Sequence, residues 1–228
     1  MFYANDMDAK DAAGVAKKNT IRSIDPAGCE PRHIYKLMSG LIVPRPVALV
    51  STIDTAGHVN LAPFSFFTGV GSVPPTVLFC PVLRGGGKDE AGQRKDTLSN
   101  VEDTGEFVVN VVSSAIAEQT NITAAEVAPE VDEFQLAGLT PEASIVVKPP
   151  RVAESPAQME CRLLQVIYTS RVAGSGVIVL GEVVRFHIRG EILDDFRVDA
   201  TGLDAVGRMA GNTWVHTRDR VEIVRPKK

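Results

Sequence analysis

The chain has 228 residues, 44% hydrophobic and 23% charged, with 24 Lys plus Arg set against 28 Asp plus Glu. A net charge of −4 argues against a dedicated nucleic-acid binder, which needs a basic excess on one face. No apolar run approaches the ~20 residues of a membrane span. Cys29, Cys80 and Cys161 are spaced unlike any metal finger or redox pair, so reduced thiols in a cytoplasmic protein are expected.

Residues 1–30 are mixed polar without the apolar centre of a secretory signal, and read as an N-terminal arm ahead of one domain over 31–228. Strands are expected at 41–50, 59–68, 76–81, 106–112, 144–147, 158–170, 176–188 and 221–224, all rich in Val, Ile, Phe and Thr. Between the sixth and seventh, Gly174 and Gly176 mark a hairpin turn. Helices are fewer and short. Asp96 is placed to cap 97–103, with Gly105 closing it, and 115–120 follows. Thr123 and Glu126 have capping-box spacing. A helix at 132–137 closes on Gly138, and a helical turn is expected at 204–209. Closely spaced strands with few helices predict a mainly β fold, a closed or split antiparallel barrel, rather than a doubly wound sheet.

Several motifs fail on inspection. "RGGGKDE" at 84–90 has Val82 where a P-loop needs glycine and Asp89 where it needs a hydroxyl, and reads as a mobile loop. "GVGSVP" from Gly69 ends in Pro74 with no long helix after it. His33, His58, His187 and His216 show no HxH or HExxH spacing, so no metal site is expected. Asp194 and Asp195 read as a solvated loop.

One constellation stands out. Ser51 and Thr52 end an apolar run and bring two hydroxyls to a turn, and Asn60 and Ser65 interrupt the apolar return strand. A buried amide or hydroxyl without a partner costs roughly 1–3 kcal/mol, so these side chains need polar company. Arg94, Lys95 and Thr97 add two cations and a hydroxyl at a helix start, whose dipole favours an anion. Brought together, Ser51, Thr52, Arg94, Lys95 and Thr97 would hold a phosphate, and a heterocyclic ligand edge rich in C=O and N–H would partner Asn60 and Ser65. Phe64, Phe66 and Phe67 offer apolar walls for a flat ring. Each feature alone also has an ordinary structural reading as turn or cap chemistry.

The run "PRPVALVSTIDTAGHVNLAPFSFF", followed by "VPPTVLF", "KDTLSNVEDTGEFVVNVV", "DEFQLAGLT", "ESPAQMEC", "VIVLGEVVRFHI" and "GRMAGNTW", resembles the flavin reductase-like family of FMN-binding split barrels. The likeness runs in order from Tyr35 to Trp214. It implies a homodimer of Greek-key split barrels with FMN near the interface. Matched by position, Ser51, Thr52, Lys95 and Thr97 would hold the flavin phosphate, while Asn60 and the stretch from Ala62 through Ser65, Phe66 and Phe67 would line the ring edge. Arg45 would serve the phosphate or brace the barrel entrance. Arg208 and Trp214 fall in a segment that approaches the cofactor, although Met209, Ala210 and Trp214 stand where Gly-Gly and Tyr are more usual.

The resemblance implies an NADH- or NADPH-dependent flavin reductase or the reductase partner of a monooxygenase. The alternatives are a flavoredoxin-like electron carrier reduced by another protein, and a split barrel that has lost its flavin. A flavin carries the redox chemistry itself, so no catalytic triad is required. His187 is the one candidate for a proton donor or nicotinamide contact, against the commoner reading of a lone strand histidine as structural.

Overall fold

The computed structural model describes residues 21–85, 91–128 and 131–226. Among these residues fourteen strands are present: β1 (Arg45–Pro46), β2 (Ala48–Ile53), β3 (Val59–Phe64), β4 (Phe67–Ser72), β5 (Pro75–Phe79), β6 (Glu106–Val111), β7 (Pro141–Glu142), β8 (Arg151–Val152), β9 (Ala157–Tyr168), β10 (Val177–Ile188), β11 (Leu193–Asp194), β12 (Arg197–Val198), β13 (Val206–Arg208) and β14 (Trp214–His216). The α-helices are α1 (Pro31–Leu41), α2 (Asp96–Thr104), α3 (Ala117–Ile122), α4 (Glu133–Ala137) and α5 (Ala200–Leu203).

Seven strands form an antiparallel sheet in the order β3-β2-β6-β9-β10-β5-β4, and a separate sheet runs β1-β13-β14. Strand β2 explains why the architecture has two cores. Val47 to Val50 are all buried, because successive side chains point to opposite faces and both faces are covered. Ala48 and Val50 enter one cluster with Phe64, Phe79, Phe107 and Leu98. Val47 and Leu49 enter the other with Leu61, Phe134, Val152 and Val206. In the first cluster Phe79 packs between Phe64 and Phe107, with ring centroids 5.0 and 5.3 Å away.

Several segments differ from the sequence expectations. The first 11 residues of the expected domain form α1, opened by Pro31 at its first turn. The strand expected at 41–50 therefore starts only at Arg45. Residues 144–147 form no strand, since the amides of Ile145, Val146 and Val147 all turn onto the Glu160 carboxylate at 2.8, 2.6 and 3.0 Å. Amides gathered onto one side chain cannot join a ladder. Thr123 ends α3 instead of opening a helix, its hydroxyl donating to the Thr120 carbonyl at 2.9 Å. The helical turn comes early, at α5, where Asp204 closes it in the left-handed region at φ 42°; residues 206–208 then become strand. Residues 221–224 are exposed and outside any strand. Most of the expected arm and loop, residues 1–20 and 86–90, lie outside the described residues.

Long strand β10 bends over the first core at Gly181, beside an irregularity in its register with β9. A Cβ there would lie 2.2 Å from Cζ of the fully buried Phe107. Gly181→Ala should therefore displace that ring and destabilise the fold by about 1–3 kcal/mol, read from chemical denaturation midpoints.

Candidate functional site

The neighbouring hydroxyls of Ser51 and Thr52 part company because β2 alternates. Ser51 is fully buried on the second-core face, donating to the Pro150 carbonyl and accepting from Asn110 Nδ2 at 3.3 Å. Thr52 points the other way, toward α2, where its Oγ1 accepts from Asn100 Nδ2 at 3.0 Å and lies 3.4 Å from Asn60 Nδ2. The Asn60 amide also donates to Thr97 Oγ1 at 2.9 Å. A closed polar network of Thr52, Asn60, Thr97 and Asn100 thus joins the strand pair to the first turn of α2. The interrupting polar residue on β3 has found its company within the protein.

Beside this network opens a cleft of about 110 Å³, lined by Asn60, Ala62, Pro63, Phe64, Lys95 and Thr97 from the expected segments. Lys95 is the N-cap residue of α2, so its ammonium sits at the positive end of that helix. Burial, reinforced by nearby Arg84, pulls its pKa below the ordinary lysine value. An anion in the cleft would relieve that strain.

The lining also includes Arg84, Asp96, Thr123, Glu126 and Glu133, none of which the sequence marks as site residues. Arg84 arrives because its amide and carbonyl pair with those of Gln93 at 2.8 Å, which sets it alongside Lys95. Its Nη2 reaches Asp96 Oδ2 at 3.4 Å, while its buried Nε has no hydrogen-bond partner among the described residues. The capping-box spacing at Thr123 was a signal of local structure there, but nothing local marks Arg84 or Glu133.

Other expected site residues lie elsewhere. Arg94 turns outward to Glu102 at 2.8 Å, and Glu102 also accepts from the Tyr168 hydroxyl at 2.7 Å. Arg45 is a brace: its guanidinium donates to the carbonyls of Ser39, Ile42 and Met209 at 2.6, 2.7 and 3.0 Å and to Ser65 Oγ at 3.2 Å. These bonds leave little donor capacity for a phosphate, and Ser65 is correspondingly engaged. Phe66 lies under the Arg45 guanidinium, 5.8 Å from it, and Phe67 packs against the first core. Arg208 sits 5.2 Å over the Trp214 ring, and both line a different cleft with Ala117, Glu118, Asn121 and Asn212.

His187 is remote from the Lys95 cleft and lines another with Arg151 and Arg189. Its Nε2 lies 2.6 Å from Oε1 of the fully buried Glu160. Burial pushes the Glu160 pKa up, but the amides of 145–147 and His187 outweigh it and hold the carboxyl below its ordinary value of 4.5. This is the geometry of a loop anchor. Among the described residues no group of three or more His, Cys, Asp or Glu is placed to hold a metal, and no helix is long and apolar enough to cross a membrane.

The donor set of the cleft, an ammonium at a helix start with a hydroxyl and a guanidinium nitrogen that has no partner among the described residues, fits a phosphate ester. Its volume is well below the ~300–1,000 Å³ of complete small-molecule pockets, so it suits one end of a larger ligand.

The antiparallel sheets define a split β-barrel of the kind found in flavin reductases. The chain belongs to the flavin reductase-like family, matching the description "Flavin reductase like domain" over residues 38–206. It is 40% identical over 183 residues to an uncharacterised protein of Aquifex aeolicus, covering 80% of this chain and 89% of that one. Nitrilotriacetate monooxygenase component B from Bacillus cereus shares 35% identity and a TM-score of 0.83, over 90% of this chain and 100% of the other. The 2-nitrobenzoate 2-nitroreductase NbaA of Pseudomonas fluorescens shares 29% and 0.79, over 90% and 96%.

Because the Glu160 carboxyl is held below 4.5, the stability it contributes is present above that pH and is lost as pH falls through its folded value. Glu160→Gln should cost about 1.5–3 kcal/mol at pH 7. It should also make the acid-side loss of stability shallower than in the wild type, as followed by urea unfolding between pH 3 and 7.

Proposed function

We propose that the protein is an FMN-dependent oxidoreductase that takes reducing equivalents from NADH or NADPH and delivers them to a separate acceptor, as the reductase component of a monooxygenase. The observation that carries this reading is the convergence of Asn60, Lys95 and Thr97 on one phosphate-sized cleft at the start of α2. The likeness to a monooxygenase component B supports the acceptor class.

In this reading Lys95 neutralises the phosphate, the Thr97 hydroxyl, held by the Asn60 amide, orients it, and Arg84 supplies its Nε–H. Thr52 and Asn100 lie one layer behind and hold Asn60 and Thr97 in place. The stretch Ala62–Phe67 leads from the cleft and offers apolar faces and backbone groups to the ring edge. Bound FMN supplies the hydride acceptance and onward electron transfer; the chain supplies position, charge and access. The protein works as a cytoplasmic homodimer with the flavin near the contact between copies. In support, Tyr35, Met38, Leu41 and Ile42 on and after α1, with Val70 and Val73 beyond, present apolar surface to solvent.

Protein purified without added cofactor, or desalted after incubation with FMN, should show flavin absorbance that bleaches under anaerobic NADH or NADPH. Bands that persist until a chemical reductant is added would identify an electron carrier instead, and a protein that does not take up FMN would overturn both readings. Lys95→Ala should remove a charge-assisted contact worth about 1.5–3 kcal/mol, a roughly 10- to 150-fold rise in Kd for FMN with riboflavin affinity little changed.

A further inference from the structure

Glu133 is an unexpected member of an anion cleft. It opens α4 directly after the cap Asp132, is 7% exposed, and receives the Leu61 amide of edge strand β3 on Oε2 at 3.0 Å. That bond anchors the carboxyl to the residue after Asn60, and both Glu133 and Asn60 line the cleft. Glu133 and Lys95 line the same cleft of about 110 Å³. A phosphate held there shares a partly desolvated space with the carboxyl, where like charges repel.

We infer that an ionised Glu133 and a bound flavin phosphate exclude one another, so that filling the cleft requires a proton on Glu133. The inference rests on the phosphate reading of the cleft. The surroundings favour the proton. Asp96 and Glu126 line the cleft with it and Asp132 precedes it, against the cations Lys95 and Arg84, and Asp96 is already engaged by Arg84. Burial pushes the Glu133 pKa above the ordinary carboxylate value; its backbone hydrogen bonds pull down, and Asp96 and Asp132 push up again. An incoming dianion pushes in the same upward direction, so binding takes up a proton and affinity falls as pH rises. The bond to Leu61 favours the charged form but survives protonation, since a neutral carboxyl or amide oxygen also accepts it.

The test is the Kd of FMN and of riboflavin, by flavin fluorescence quenching from pH 5.5 to 8.5, for the wild type and Glu133→Gln. Glutamine keeps the shape and the Leu61 hydrogen bond. Above the Glu133 transition, wild-type Kd for FMN should rise by up to about tenfold per pH unit relative to Glu133→Gln. The variant should bind FMN more tightly at pH 8, while riboflavin follows one profile in both proteins. Lys95 and the phosphate itself also titrate, but equally in both proteins, so the difference isolates Glu133. Parallel FMN profiles would overturn the inference and leave the phosphate reading standing if Lys95→Ala still weakens FMN selectively. FMN and riboflavin binding alike at every pH in the wild type would overturn both. Should Glu133→Gln not fold, calorimetry of FMN binding to Lys95→Arg at pH 8, in two buffers of different ionisation enthalpy, decides the matter. Proton uptake supports the inference, because that cation does not titrate, and no uptake overturns it.

Discussion

The constraint on which the rest depends is that β2 is covered on both faces. A strand in that position has no solvent side, so each of its side chains must belong to one of two packed interiors. Ala48 and Val50 commit to the barrel core and Leu49 to the core under α4 and β8. The same alternation carries into the polar end of the strand. There it sends the Ser51 hydroxyl to Pro150 and Asn110, and the Thr52 hydroxyl to Asn60 and Asn100. The cleft beside α2 exists where the barrel-side row changes from apolar to polar.

That division shows what the sequence made legible. Long strands with clear β composition, such as 158–170 and 176–188, lie close to β9 and β10. Asn60 was marked too, because a polar side chain in an apolar strand must find a partner, but the partner expected was a ligand edge and the structure supplies Thr97. Side-chain direction at Ser51 was readable in principle from period two, yet both hydroxyls had been assigned to one ligand. Arg84 and Glu133 were not legible by any local rule. Arg84 is brought in by backbone pairing with Gln93 across a loop, and Glu133 through a hydrogen bond to a strand 72 positions earlier in the chain.

The cationic residues divide by what they neutralise. Arg45 spends its donors on carbonyls at the end of α1 and at Met209, Arg94 pairs with Glu102 on the outer face of α2, and Arg84 is shared between Asp96 and the cleft. Lys95 forms no ion pair among the described residues. In the proposed reading, that partly desolvated lysine at a helix start is the group a phosphate would neutralise.

Glu160 reads only main-chain amides in the 144–149 segment, and Ile145 turns its side chain 65% into solvent. The shape of that loop is therefore written in a residue outside it, on the neighbouring long strand. Substitution at exposed positions such as Ile145 and Lys148 should be nearly free so long as each keeps its N–H, whereas Val147 and Pro149 are buried, and proline is the residue that the arrangement forbids at 145, 146 and 147. Drift in such a segment would leave its path intact, which makes it a place where sequence can diverge among descendants of one ancestor without the backbone following.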